Sequence, residues 1–373
     1  MNGKSTRSRD EPGRTEDDCY DSLEVDFAAG KFTGLFLFVK NDDGTYSTHY
    51  RSLRMLYILV IYVGMSYLWQ YTLAEMLTLI RETRVPGAYL LFTLLFVHPI
   101  PFVFVAEAKK LNDYLNDWLA YQRRFREITG RKLHLNSPRL KLTVIVVKIF
   151  LFLFLISFLR YQFSKISIPS KLLALYYYWV VTVLSSVWYW IIFFLYWTGR
   201  AMQDLAASVI RNKSSRVTVA EVEALWVDMS RLVKRIGRTF CFTYCYFILF
   251  LFLALTVSTY ETLIILDWPI TLEKSAFFLL TLTIMIHTAS IPFTSQMAVK
   301  VIGEDFYKLL LDLKMKERHP PNRVQEIDEL LQVISDNRPL IDLGGFVTLD
   351  NGLITSLVST MVTYLIVLVQ FKI

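Results

Sequence analysis

Seven stretches of the chain are apolar for long enough to cross a bilayer, and polar linkers of two kinds separate them. The stretches run near 52–74, 86–106, 142–160, 172–197, 239–259, 276–299 and 351–371. Each is about 20 residues, the length of helix that spans a hydrocarbon core. The pattern predicts an all-α membrane protein of seven transmembrane helices. The longer linkers also keep helical spacing, with Leu111, Tyr114, Leu115, Trp118 and Leu119 in one and Leu225, Met229, Leu232, Val233 and Ile236 in another. Spans two and five are therefore expected to continue, or to begin, as helices beyond the membrane. A third linker carries Val324, Ile327, Leu330, Leu331 and Ile334 as an apolar stripe among carboxylates. That stripe packs either on the chain's own helical extensions or on another subunit.

Basic residues set the expected orientation. The linker from Glu107 to Lys141 and the one from Thr198 to Arg238 are dense in Lys and Arg. The short connections hold only Arg81 and Arg84, then Arg160, Lys165 and Lys171, then Lys274. An excess of Lys and Arg marks the cytosolic side, so the N-terminus and the long linkers are expected inside. An odd number of spans then leaves the C-terminus outside. The chain divides into a cytosolic N-terminal tail (1–51), a six-helix membrane domain (52–299) with cytosolic extensions at 107–141 and 198–238, a cytosolic anchor segment (300–350) and a last span (351–373). Residues 1–26 are charged and polar, without the apolar segment of a signal peptide.

Composition fits this picture: 54% hydrophobic and 15% aromatic residues, with a mean hydropathy of +0.39, lie outside the range of ordinary soluble domains. The net charge of +7 is spread over loops beside apolar segments, so membrane orientation explains it better than nucleic acid. Cys19 stands in the polar tail, and Cys241 and Cys245, one helical turn apart, read as packing residues. The five histidines are scattered, and the chain has no His-Glu-x-x-His, Cys-x-x-Cys, Walker loop or dinucleotide fingerprint. No catalytic residue, metal site or cofactor is expected. The Thr-Val-Gly-Tyr-Gly filter of potassium channels and an arginine ladder are also missing.

The last span has a pattern of its own. Gly352, Ser356, Ser359, Thr360, Thr363, Val367 and Gln370 fall within roughly 60° of one line at 100° per residue. This small, hydroxyl-rich strip suits two environments. It allows helices of one bundle to approach closely and hydrogen-bond, or it faces an aqueous path enclosed by several copies of the helix.

The run Thr363-Tyr364, five apolar residues and Gln370-Phe371 resembles the C-terminal signature of the insect gustatory receptors, a branch of the insect chemoreceptor superfamily. Upstream, Phe346-Val-Thr-Leu-Asp350 and Gly352-Leu-Ile-Thr-Ser356 look like that family's approach to its last helix. The specific likeness covers residues 346–371, and the rest of the chain agrees in architecture only. The resemblance implies a tastant-gated, non-selective cation channel in the plasma membrane of chemosensory neurons. It implies a tetramer, formed by identical or related subunits, in which four seventh helices line the pore within the lipid. Gln370 and Phe371 would form the outer constriction, with Val367 one turn below and Thr363 and Thr360 further along the wall. Many sugar-sensing members carry Glu after the signature Tyr, where this chain has Leu365. A bitter-type or otherwise divergent receptor is favoured on that account, and a fructose-type receptor stays open. The acidic stretch from Glu326 to Asp350 would enrich cations at the inner mouth, or is a solvated acidic face.

A pocket for such a ligand is expected in the outer half of the bundle, with aromatic walls and a few polar groups. The candidates there are Tyr89, Phe158, Tyr161, Tyr177, Trp179, Tyr260, Thr283 and His287, although aromatics at that depth are commonly interfacial belt residues. A membrane-depth histidine seldom lacks a polar partner, which singles out His287. The rival architecture is a seven-span receptor coupled to G proteins, with inverted topology. The chain's one N-glycosylation pattern, Asn212-Lys213-Ser214, lies in the cytosol in the orientation above and would be outside in the inverted one.

Overall fold

In chain order the elements are α1 (Asp18–Phe32), β1 (Phe38–Lys40), β2 (Tyr46–Thr48), α2 (Leu53–Thr83), α3 (Ile100–Ala106), α4 (Ala108–Thr129), α5 (Ile168–Arg211), α6 (Val219–Thr239), α7 (Cys241–Leu266), α8 (Leu272–Lys300), a π-turn (Val301–Asp305), α9 (Phe306–Lys316), α10 (Pro321–Asp336), β3 (Asp342–Leu343), β4 (Val347–Thr348) and α11 (Asn351–Gln370). The computed structural model describes residues 18–41, 43–83, 95–133, 167–211, 216–266, 272–316 and 320–370, with positions 146, 148, 149, 153 and 156. Among these residues, four helices are long and apolar enough to cross a membrane. They are Leu53–Thr78 of α2, α5, Cys241–Tyr260 of α7 and the run from Phe278 through α8 and α9; Leu95–Ala106 and Asn351–Val367 are shorter apolar helices. The expected third span lies outside the described residues except at the five single positions.

The fourth span is the axis of the molecule. α5 has 44 residues, about 66 Å at 1.5 Å per residue, so one helix runs through the apolar layer and well into the polar end. Leu173, Val180, Leu184, Val187, Trp188, Phe194, Leu195 and Met202 along it are all buried. Its N-terminus is held by a side chain that the sequence reading passed over. Glu75 of α2 accepts the Ser167 backbone N–H at 2.7 Å, the Ser167 hydroxyl at 2.8 Å and the Ser170 hydroxyl at 2.5 Å. A carboxylate inside an apolar helix is thereby satisfied by the positive end of another helix.

At the basic end the two long linkers form the bundle that their spacing predicts. α4 and α6 pack together, and Leu111, Tyr114, Leu115, Trp118 and Leu119 of the first and Leu225, Met229, Leu232, Val233 and Ile236 of the second are all buried. The pairs Arg124–Asp228 and Arg235–Asp117 join their rims. Span two passes into α4 at Glu107, and α6 passes into span five at Phe240, each across a single non-helical residue. Glu107 is only 4% exposed, yet it is fully used: it accepts the backbone N–H of Phe242 at 3.2 Å and of Thr243 at 3.0 Å, and the Thr243 hydroxyl at 2.7 Å, at the first turn of α7.

Short hairpins pack on this bundle. β1 and β2 pair antiparallel, Phe38 opposite Thr48, and the Asn116 side chain of α4 takes the Tyr46 N–H at 2.8 Å and gives a hydrogen bond to the Tyr46 carbonyl at 3.0 Å. The side chain thus completes the pairing of a strand edge. Phe27, Phe36 and Phe38 meet beneath it at centroid distances of 4.8–5.5 Å. β3 and β4 form the second hairpin, turning through Gly344 and Gly345, both at positive φ. The apolar stripe of α10 is buried within the chain itself, with Ile327, Leu330, Leu331 and Ile334 lying against α6 and α9.

The π-turn after α8 leaves carbonyls without their regular helical partners. Two distant side chains supply them: Gln203 Nε2 donates to the Val301 carbonyl at 2.7 Å and Trp226 Nε1 to the Ile302 carbonyl at 2.9 Å. Trp226→Phe keeps the packing and removes one donor, stranding a buried carbonyl at a cost of about 1–3 kcal/mol. A lower unfolding temperature of the detergent-solubilised protein is the expected readout.

Candidate functional site

α11 starts from two fixed points. The Asp350 carboxylate accepts the Leu353 N–H at 3.0 Å as an N-cap, and Gln296 Oε1 of α8 accepts the Asn351 N–H at 2.7 Å. From there the helix lies on α7 and α8. Leu353 and Leu357 join the core, Met361 and Leu365 are half-buried, and Tyr364 meets Phe252 edge-on at 6.5 Å.

The hydroxyl strip lies elsewhere on the helix. Gly352, Ser356, Ser359, Thr360, Thr363, Val367 and Gln370 are all exposed, about 130° round the helix from the packing face at 100° per residue. Ser356, Thr360 and Thr363 donate to the carbonyls four residues back, Gly352, Ser356 and Ser359, at 3.0, 2.8 and 3.0 Å. Their protons are used inside the helix, while oxygen lone pairs remain on the surface. Gln370 has no hydrogen-bond partner among the described residues, and an amide at that depth requires water or a neighbouring chain. Phe371 lies outside the described residues.

Two polar clusters stand between the other helices. In the first, His287 Nδ1 is 3.0 Å from the Thr283 carbonyl. That hydrogen bond assigns the proton to Nδ1 and leaves Nε2 an acceptor. The Tyr189 ring of α5 lies 6.5 Å from the imidazole, its hydroxyl is 2.5 Å from Ser290 Oγ, and Ser290 in turn donates to the His287 carbonyl at 3.1 Å. One turn before Tyr189, the buried Ser185 Oγ has no hydrogen-bond partner, nor has the neighbouring Trp188 Nε1. Trp188 turns to α7, where its ring lies 4.3 Å from that of Tyr244. A cavity of about 440 Å³ continues from Tyr189 along Trp190, Phe193, Tyr196 and Trp197 of α5 and Thr294 and Met297 of α8, within the size range of small-molecule pockets.

The second cluster gathers around His98, one of the five scattered histidines. Its Nδ1 is 2.5 Å from the Tyr177 hydroxyl, its ring stacks on Trp69 at 4.9 Å, and Ser66 Oγ is 3.5 Å from Nε2. A cavity of about 540 Å³ between α2 and α3, lined by Tyr62, Ser66, Tyr67, Gln70 and Phe102 among others, adjoins it. Of the sequence candidates, then, Thr283 and His287 come together, and Tyr177 joins a different cluster. Trp179 and Tyr260 are half-buried on α5 and α7, and Tyr89, Phe158 and Tyr161 lie outside the described residues. Depth in the span was the signal that would have found His98, since membrane-depth histidines find polar partners. Among the described residues no group of three or more His, Cys, Asp or Glu side chains is gathered for a metal.

Comparison with known proteins bears on the same geometry. The family described as 7tm Chemosensory receptor matches residues 27–373. Gustatory and odorant receptor 24 of Anopheles gambiae is 28% identical over 281 residues, covering 72% of this chain and 58% of its own. Gustatory and odorant receptor 21a of Drosophila melanogaster is 30% identical over 176 residues, 47% of this chain and 38% of its own. The alignments thus span 58% and 38% of those relatives' lengths. Among solved structures, the olfactory receptor OR5 from Machilis hrabei in complex with eugenol superposes with a TM-score of 0.61 over 95% of this chain and 100% of that one, at 12% identity. At that identity the likeness is one of fold.

Proposed function

Because the chain belongs to the seven-transmembrane chemosensory receptor family, we propose that it is a subunit of a small-molecule-gated, non-selective cation channel in which four copies of α11 line the pore. The observation that carries this reading is the exposed strip from Gly352 to Gln370, turned away from the chain's own packing face. Four such strips around an axis provide a hydroxyl-lined path, with Val367, Gln370 and Phe371 at its outer end. Phe371 rings dewet the closed constriction, and rotation of α11 brings the Gln370 amides to the ions. The bundle of α4, α6, α9 and α10 serves as the cytosolic anchor between subunits.

The ligand is a small organic molecule. The relatives carry gustatory and odorant in their names and OR5 was solved with eugenol, so an odorant is as suitable as a bitter-type or fructose-type tastant. The cleft between α5 and α8 supports this class, since Tyr189, Trp190, Phe193, Tyr196 and Trp197 offer aromatic faces and the hydroxyl oxygens of Ser186 and Thr294 offer acceptors. α8 then links cleft to pore. Ser290 holds the hydroxyl of the cleft residue Tyr189, Pro292 interrupts the helical hydrogen bonding, and Gln296 holds the first amide of α11.

Recording from cells that express the chain tests this reading. A ligand-evoked mixed-cation current that needs no G protein is expected. Tyr189→Leu, which removes the aromatic face, should raise the half-maximal ligand concentration about fivefold, the worth of an aromatic contact of about 1 kcal/mol, at unchanged surface expression. Glycan on Asn212, together with G-protein signalling and no current, would replace the channel by the inverted receptor.

A further inference from the structure

A cavity of about 440 Å³ lies where the π-turn, α9 and the end of α10 meet. Its polar lining consists of Gln296, Lys300, Glu304, Tyr307, Ser335 and Arg338. These groups differ in what they have left to bind. Glu304 is paired with Lys308, which, with Lys300 at longer range, holds its carboxyl below the usual carboxylate range. Gln296 uses its carbonyl oxygen on α11 and keeps its amide N–H groups. Lys300 and Arg338 are exposed and form no ion pair among the described residues. The hydroxyls of Tyr307 and Ser335 have no partner there either. Two unpaired cations and three neutral donors therefore border one space, and its single carboxylate is already neutralised by a lysine.

We propose that this cavity binds a phosphate monoester dianion carried on a polar group. Two positive charges match a dianion, and a guanidinium pairs with phosphate through two parallel hydrogen bonds. The volume exceeds what a bare inorganic ion needs, which leaves room for the polar group that bears the phosphate. Lys300 ends the sixth span, so in the proposed orientation the cavity opens at the inner membrane boundary. Both a phosphorylated lipid headgroup of the inner leaflet and a soluble organic phosphate present this chemistry there. Gln296 borders the cavity and also holds the start of α11, so an occupant bears on the pore helix. That coupling rests on the channel reading, and the binding does not.

The full chain in phosphatidylcholine nanodiscs is the test, with and without a monophosphorylated phosphatidylinositol. Lipid retained through washing is read by native mass spectrometry, and the matching soluble inositol bisphosphate is titrated by thermal shift. Retention of the lipid alone identifies a headgroup site, and binding of the soluble probe identifies a metabolite site. Lys300→Gln and Arg338→Gln should each weaken binding about tenfold, the scale of a charge-assisted hydrogen bond. Glu304→Gln should strengthen it, a gain that misfolding cannot produce. Lys316→Gln, at an exposed lysine outside the cavity, should leave it unchanged. Failure of both probes to bind, or an equal loss in Lys316→Gln, overturns the proposal.

Discussion

Gln370→Ala shifts the relative permeabilities of monovalent and divalent cations several-fold and changes rectification, while the protein reaches the cell surface in normal amount. The side chain is exposed and has no hydrogen-bond partner among the described residues, so its removal should leave the fold intact. In the proposed tetramer four amides meet a partly dehydrated ion at the narrowest point, and each hydrogen bond exchanged there is worth about 1 kcal/mol. Phe371→Ala, which removes the apolar ring of the proposed constriction, is expected to raise the current that flows without ligand. Recordings in which both variants keep wild-type selectivity, gating and rectification would take α11 out of the constriction.

The second large effect concerns stability. Gly237→Ala should destabilise the protein by about 3 kcal/mol or more, because a Cβ at this position of α6 would lie 2.0 Å from the Asp342 carbonyl oxygen and 2.7 Å from its carbon. These are backbone atoms of β3, so no rotamer change relieves the overlap and the hairpin has to move. The hairpin leads directly to Asp350, the cap of α11, so the damage reaches that helix. On the other side of the same hairpin, Gly344 lies against Cys241, with Sγ 2.3 Å from where a Cβ would be. Gly64→Ala is the matching control: nothing lies within 4 Å of its would-be Cβ, and alanine is a better helix former by about 1 kcal/mol. Thermal unfolding in detergent should show a large fall for the first variant and none for the second. Equal behaviour of the two would mean that the hairpin does not pack on α6 in this way.

Much of this architecture was legible in residue spacing. The stripes of α4, α6 and α10 identified buried faces, because a helix that buries one side must repeat apolar residues near every 3.6 positions. Whether the α10 stripe met its own chain or another was open, since a period reports that a face is covered and says nothing of what covers it. The same limit applies to the clefts. His287 and Thr283 are four residues apart and could be paired on sight, whereas His98 and Tyr177 are 79 residues apart. Strands of two or three residues, such as β1 to β4, are too short for an alternating pattern to stand out.

The sequence by itself determined the helices, the amphipathic faces, the strip along the last helix and the signature that closes the chain. Those features follow from local periodicity and from the cost of placing polar groups in an apolar layer. The tertiary structure alone decided which distant groups meet: Glu75 at the N-terminus of α5, Glu107 at that of α7, Gln203 and Trp226 on a π-turn 98 and 76 residues away, and Lys300 and Arg338 on one cavity. The physical reason is that a buried polar group must find a partner. The chain states that requirement at each position, and only the packing of helices against one another supplies the partner.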